Sequence, residues 1–334
     1  MENMTMKQTN IETSRIGLGT WAIGGFQWGG TDEQEAQKTI HAALDKGIKL
    51  IDTAPGYGFG KAEKIIGKAL HSSSLNRSEI TLSSKTGLNW NEKDGLFRDS
   101  TKAFIHQDIE RTLRNLQTDY VDVYHVHWPD TLTPFYETAE ALNYLYKEGK
   151  IRAIGLSNFS TEQMDIFREA APIHAIQVPH NLFERNSENE LLPYAEEKEL
   201  TAFLYSSLTR GLLSGNITKD SQFPEGDIRR DTDPKFQSPR FEQYLKAVKE
   251  LDELAQDRFN KNVLELALRW NLQQPGSTIS LWGARHPEQL APLDNLWDFF
   301  IDDETMRDID EILMRTVKTP IGIDFMAPPN KQEL

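Results

Sequence analysis

The chain predicts an α/β protein: a single (β/α)8 barrel of the TIM type over residues 1–334, with a long loop after the seventh strand and extra helices. Three observations predict it. Apolar strand-like runs alternate with amphipathic helical runs eight times, the pattern of a parallel sheet closed on itself. No Pro- or Ser-rich linker divides the units, and no internal repeat is visible. The runs also end in polar residues able to do chemistry. The run 48–51 delivers Asp52, 79–84 delivers Lys85, 120–126 delivers His127, 174–176 delivers Gln177 and 201–204 delivers Tyr205. In such a barrel the C-terminal ends of the strands converge on one face, where catalytic residues gather.

Element by element, a short strand at 16–18 leads into the Gly-rich stretch 19–30. Thr31 and Asp32 offer an N-cap for a helix through Ala36, Ile40, Ala43 and Leu44, stopped by Gly47. Strand 49–52 and a helix over 61–70 follow, then strand 80–85, a polar loop, and a helix over 102–115 with Phe104, Ile105, Ile109, Leu113 and Leu116 on one face. Strand 121–126 precedes a helix over 135–146, and strand 151–156 has Ser160 as N-cap of the next helix. Strand 174–177 with a helix over 188–197, and strand 201–205, complete seven units. The stretch 211–239, rich in Asp, Arg, Pro and Gly, reads as a long functional loop. Helices over 241–259 and 262–272 precede the eighth strand, 278–281, after which Pro287 opens a short helix. The C-terminal segment 325–329 reads as an ordered tail.

Composition narrows the function. A mean hydropathy of -0.56 marks a polar, charge-rich chain. A net charge of -14 argues against nucleic-acid and anionic-membrane partners, which require a basic footprint. Zero cysteines exclude disulfides, thiolate metal sites and thiol nucleophiles, and no metal is expected. Residues 1–15 lack the apolar core of a signal peptide, and no 18-residue uncharged run occurs, so the expected location is the cytoplasm.

Asp52, Tyr57, Lys85 and His127 form the central constellation. Singly, each has an ordinary use as a cap, a packing aromatic, a surface charge or a satisfied histidine. Four suitable types at three consecutive strand ends favour chemistry. A phenol, with a pKa of about 10, is a weak acid at neutral pH, and a neighbouring ammonium lowers that value by favouring phenolate. A carboxylate fixes the ammonium, and His127 can hydrogen-bond a substrate carbonyl. Together they suit reduction of a carbonyl by an external hydride.

The stretches Gly17-Leu18-Gly19-Thr20-Trp21, Asp52-Thr53-Ala54-x-x-Tyr57-Gly58, Ser84-Lys85-Thr86, His127-Trp128-Pro129, Gly155-Leu156-Ser157-Asn158-Phe159 and Gly283-Ala284-Arg285 run in order over 16–290. In these the chain resembles the aldo-keto reductase superfamily, and most of all the bacterial general stress type within it. The resemblance implies a barrel enzyme that uses NADPH to reduce aldehydes and small ketones, a small-molecule carbonyl substrate, Tyr57 as proton donor, Asp52 and Lys85 as its tuners, and His127 as the orienting group. His125, two residues earlier on the same strand face, does not match the His-Trp-Pro motif.

It further implies that Ser157, Asn158 and Gln177 bond the nicotinamide amide and that Tyr205 stacks on its ring. Thr20, Trp21, Asp52, Ser206, Ser207, Leu208 and Gly283 are implied as further cofactor contacts. Arg210 and Arg229 are implied at the pyrophosphate, Arg285 and Gln289 at the 2′-phosphate beside a helix N-terminus. Two positions depart from the pattern. Ser214-Gly215-Asn216 stands where many relatives carry Gly-Lys, and Leu293 where an Asn is frequent, with Asn295 nearby. Trp21, Trp28, Trp90 and Trp128, on strand-end loops, are expected to wall an apolar substrate pocket. The rival readings are a redox-sensing subunit like the β-subunits of potassium channels, and a barrel aldolase using Lys85 as a Schiff-base amine. The second leaves the dinucleotide motifs unexplained.

Overall fold

The computed structural model describes residues 1–93 and 95–331. Eight parallel strands close a barrel: β1 (Ile16–Gly19), β2 (Leu50–Asp52), β3 (Thr81–Thr86), β4 (Val123–Val126), β5 (Ile154–Ser157), β6 (Ala175–Pro179), β7 (Thr201–Tyr205) and β8 (Ser277–Gly283). Each pairs with the next, and β8 returns to β1 with Ser280 opposite Ile16 and Gly283 opposite Gly19. The expected barrel is therefore what the chain forms, with the eight strands in chain order.

Side-chain alternation divides each strand between two cores. Inward-facing Leu50, Val123, Ala175, Phe203, Ile279 and Leu281 fill the lower barrel. Outward-facing Leu18, Ile51, Val126, Leu156, Ile176 and Leu204 pack beneath the helices. These are α1 (Glu33–Asp45), α2 (Lys61–His71), α3 (Lys102–Leu116), α4 (Phe135–Lys147), α5 (Thr161–Arg168), α6 (Leu191–Glu197), α7 (Arg240–Phe259), α8 (Val263–Leu272) and α9 (Asp303–Thr316). The caps fall where side-chain chemistry asks for them. Asp32 accepts from the backbone N–H groups of Gln34 and Glu35, and Ser160 with Gln163 forms a capping box. Ile40 of α1 is fully buried, and truncation to Ala there costs about 2–5 kcal/mol. Among the described residues no helix is long and apolar enough to cross a membrane.

Two hairpins depart from the sequence reading. Asn3–Thr5 pairs with Glu12–Ser14 across the lower end of the barrel, where Met6 and Ile11 join the inner core. The polar loop expected after β3 is a second hairpin, Leu88–Asn91 with Gly95–Arg98. Their strands are only three or four residues long, too short to show a period of two. The long loop after β7 is irregular, as expected, but tied down. Arg210 and Lys235 meet Asp233 and Glu184 in a buried ion cluster, with Lys235 Nζ 3.0 Å from Glu184 Oε1.

Candidate active site

A cleft of about 740 Å³ opens at the C-terminal ends of the strands. It is lined by Tyr57, His127, Ser157, Asn158, Gln177 and Tyr205 at its floor, and by Arg229, Arg285 and Gln289 at its far end. Thr20, Trp21, Asp52, Ser206, Ser207, Leu208, Arg210 and Gly283 also reach it. Lys85 lies beneath the floor, fully buried.

Asp52 ends β2 and is held from three sides. Its Oδ2 accepts from Lys85 Nζ at 2.7 Å, and its Oδ1 from Ser83 Oγ at 2.8 Å and Gln177 Nε2 at 2.9 Å. Lys85 Nζ donates also to the Thr53 carbonyl at 2.9 Å and lies 5.1 Å from the Tyr57 ring centre. Tyr57 sits on a turn whose N–H donates to the Ala54 carbonyl at 3.0 Å. That turn packs against the helical turn Trp21–Gly24 so closely that a Cβ on Gly24 would come within 2.6 Å of the Tyr57 carbonyl. Gly58, at φ +66, would likewise strike the Gly24 carbonyl oxygen. Two glycines thus let Trp21 lie face to face with Tyr57, their ring centres 6.4 Å apart. The His127 ring stands edge-on to Tyr57 at 5.8 Å.

Burial sets the protonation of the group. His127 is pushed well below the usual histidine range by burial and then by the charge of Lys85, so its imidazole is neutral. Lys85 is lowered by burial and pushed back up by Asp52. Tyr57 departs from the sequence reading, which had the ammonium lower it. Burial, followed by the negative charge of Asp52, raises the phenol well above its ordinary value. The reason is that a dry pocket penalises phenolate and Asp52 offsets most of the Lys85 charge.

Asn158 ties three strands together at the floor. In left-handed backbone at φ +63, it donates Nδ2 to the His127 carbonyl at 2.9 Å and to Ser157 Oγ at 3.1 Å, and accepts from Tyr205 O–H at 2.8 Å. The far end is looser. Arg285 donates to the carbonyls of Trp28 (2.9 Å) and Gly30 (2.6 Å), and among the described residues no carboxylate is paired with it. Gln289 accepts from the backbone N–H of Arg285 at 2.7 Å. Arg229 forms a two-pronged pair with Asp227 and lies over the rings of Trp28 and Phe223.

Arg210, expected at the pyrophosphate, has its guanidinium turned to Asp233 and to Ser206 Oγ (2.9 Å), within an ion cluster that is already neutral. Trp90 is a correction. It does not line the cleft but meets the Phe59 ring at a tilt, 5.6 Å between centres, and lies under the Arg111 guanidinium at 4.1 Å. Leu88 and Leu96 take that wall, with Trp21, Trp28 and Trp128 as expected, and Met326 and Pro328 of the tail join them. Sequence reasoning missed these four because nothing in the hairpin or tail marks which residues turn inward. Leu293 is packed in the core, and Ser214, Gly215 and Asn216 border the cleft.

The cleft suits a nicotinamide dinucleotide by its donor set. Ser157, Asn158 and Gln177 offer hydroxyl and carboxamide groups complementary to a carboxamide, Tyr205 offers a ring, and Arg285 offers a guanidinium with no ion-paired carboxylate among the described residues. The model of the Aldo/keto reductase family matches residues 15–314. Over 334 residues, all of both chains, the protein is 54% identical to Aldo-keto reductase YhdN of Bacillus subtilis (strain 168). It is 36% identical to the NADH-specific methylglyoxal reductase of Escherichia coli (strain K12), over 94% of this chain and 100% of that one. The solved structure of glycerol dehydrogenase AKR11B4 from Gluconobacter oxydans superposes with a TM-score of 0.87 at 47% identity, covering 97% of this chain and 99% of that chain. Motif, geometry and likeness agree: the chain belongs to the aldo/keto reductase family, oxidoreductases of carbonyl groups.

Proposed function

We propose that the protein, acting as a single domain over residues 1–334, reduces aldehydes and small ketones to alcohols with NADPH, Tyr57 being the proton donor. The observation that carries the reading is the meeting of Tyr57 and His127 at the cleft floor, directly above the buried Asp52–Lys85 pair. When bound, NADPH supplies the hydride that reaches the carbonyl carbon. His127, neutral through burial, offers a ring N–H to the carbonyl oxygen and orients it. Tyr57 keeps its proton at neutral pH and so waits as an acid. As negative charge grows on the carbonyl oxygen, the Tyr57 O–H bond breaks and its proton passes to that oxygen. The tyrosinate left behind is stabilised by the Lys85 ammonium and regains a proton from water.

On this reading Ser157, Asn158 and Gln177 bind the carboxamide and Tyr205 flanks the ring. Arg229 serves the pyrophosphate, with Arg210 holding the adjoining loop. Arg285 and Gln289 receive the 2′-phosphate, whose charge would pair with the Arg285 guanidinium. The match to an NADH-specific reductase makes cofactor choice the point to test first.

The test is consumption of NADPH, and separately NADH, with a panel of aldehydes, wild type beside Tyr57→Phe. The expected result is turnover that favours NADPH and falls about 10³-fold in the variant, while NADPH affinity by tryptophan quenching stays within about twofold. NADPH binding without turnover on any carbonyl would overturn the reductase in favour of redox sensing. Loss of NADPH binding in Tyr57→Phe would move Tyr57 from the chemistry to the cofactor.

A further inference from the structure

The face of β3 turned away from the cleft differs from its neighbours. β1, β2 and β4 to β7 turn apolar residues outward beneath the helices. β3 points Ser83 and Lys85 inward and alternates them with Ser84 and Thr86 outward. Each outward hydroxyl donates to a buried carboxyl: Ser84 Oγ to Glu63 Oε1 at 3.1 Å, and Thr86 Oγ1 to Asp108 Oδ2 at 2.8 Å. Glu63, from α2, is fully buried and accepts also from Thr112 Oγ1 at 2.9 Å and Asn115 Nδ2 at 3.0 Å, both of α3. Asp108, from α3, is ion-paired with Arg111 and equally buried. The two hydrogen bonds from β3 grip the residues on either side of Lys85.

Burying two carboxyls in a layer filled mainly by apolar side chains is costly, and apolar residues of similar volume commonly serve stability as well or better. Their cost is concentrated behind one catalytic residue. We propose that Glu63 and Asp108 are positioning residues for Lys85: they pin the residues on either side of it, and Glu63 supplies negative charge that helps keep its ammonium charged in a dry site. The inference rests on Lys85 serving the reaction as described above.

The groups facing the pair come from four elements. Glu63 meets Ser84 of β3 and Thr112, Asn115 and Arg111 of α3, with Lys85 behind the strand. Asp108 meets Thr86 of β3, Arg111 of its own helix, Tyr124 of β4 and the charge of Glu63 of α2. Burial raises both carboxyls, Asp108 to about 7, while the hydrogen bonds from Asn115, Thr112 and Ser84 pull Glu63 back down. Glu63 acts on Lys85 in the same direction as Asp52, upward against burial.

The experiment uses Glu63→Gln and Asp108→Asn, which keep shape and remove charge, with Glu63→Asp as the conservative rescue. Titration of Lys85 by ¹³Cε NMR in the cofactor-free protein is expected to fall by about one pH unit in Glu63→Gln and to recover partly in Glu63→Asp. In turnover, kcat drops several-fold and its alkaline limb moves to lower pH, while the aldehyde KM and the NADPH dissociation constant stay within about twofold. An unchanged Lys85 titration in both charge-removing variants overturns the proposal. So does an equal loss of kcat, NADPH binding and melting temperature in all three, the signature of a merely structural pair. If the wild type reduces no carbonyl, the reductase reading fails by itself, and the NMR arm still decides the placement of Lys85.

Discussion

At the floor of the cleft Asp52 accepts three side-chain hydrogen bonds and Lys85 has no exposed surface, whereas at the far end Arg285 reaches two backbone carbonyls and remains partly open to water. The floor is built from strand ends and satisfied from within, so its geometry precedes any ligand. The far end is built from loops after β1, β7 and β8, whose contacts a ligand can exchange for its own. On the proposed reading, chemistry is fixed by the barrel, and cofactor choice is left to parts that can change cheaply.

Asp52→Asn tests the floor most severely. It leaves a buried ammonium facing an amide, and is expected to cost about 3–5 kcal/mol of unfolding free energy by urea denaturation, along with most of kcat. A loss below 1 kcal/mol would mean that the floor is not internally satisfied. Arg285→Ala addresses the far end. NADPH should bind about 10- to 100-fold more weakly, with NADH and overall stability little changed. Equal weakening of both cofactors in tryptophan-quenching titrations would remove Arg285 from the 2′-phosphate.

The floor and the layers around it also set a pH dependence. Burial depresses His125 and His127 well below their ordinary value, and His180 to about 3. Between those values and about 6.5 the unfolded chain binds the protons that the folded protein refuses, so stability rises with pH and is lost as pH falls. Glu63 and Asp108 are raised, which has the opposite sign: they favour the folded state at low pH, and for Asp108 that advantage is lost as pH rises through about 7. With His174, which burial also lowers, four imidazoles act against two carboxyls, each worth up to about 1.4 kcal/mol per pH unit. Urea midpoints should therefore be higher at pH 6.5 than at pH 5, and the reverse order would refute the balance.

The smallest effects separate the wall residues. Trp128→Ala should raise the aldehyde KM several-fold, and Trp90→Ala should change kcat/KM by less than about twofold, since Trp90 lies outside the cleft. A large loss at Trp90 would show that the hairpin governs the pocket from a distance.

How much of this was legible follows from the physics of each part. Strand-end residues could be read because an apolar run with a polar terminus leaves a local trace, and Asp52, Tyr57, Lys85 and His127 indeed converge at one place. The state of Tyr57 could not, because it depends on burial and on Lys85 turning to Asp52, both tertiary facts. Trp90 misled because an aromatic on a strand-end loop carries no sign of which way its hairpin tilts. Glu63 was silent because a Glu in the first turn of a helix ordinarily reads as a solvated dipole partner. One usable signal existed: Ser84 and Thr86, alternating around Lys85 in a strand whose neighbours turn apolar residues outward.

The N-terminal hairpin has a consequence for assembly. Its Met6 and Ile11 bury themselves among residues contributed by β2, β4, β6, β7 and β8, and the Lys7 N–H donates to Thr201 Oγ1 across 194 positions of sequence at 2.8 Å. The hairpin thus has no surface to bind until distant strands have come together, and loop closure over such spans is slow. The hairpin is therefore seated last, and in pulse-labelled refolding its amides should gain protection from exchange only in the final phase.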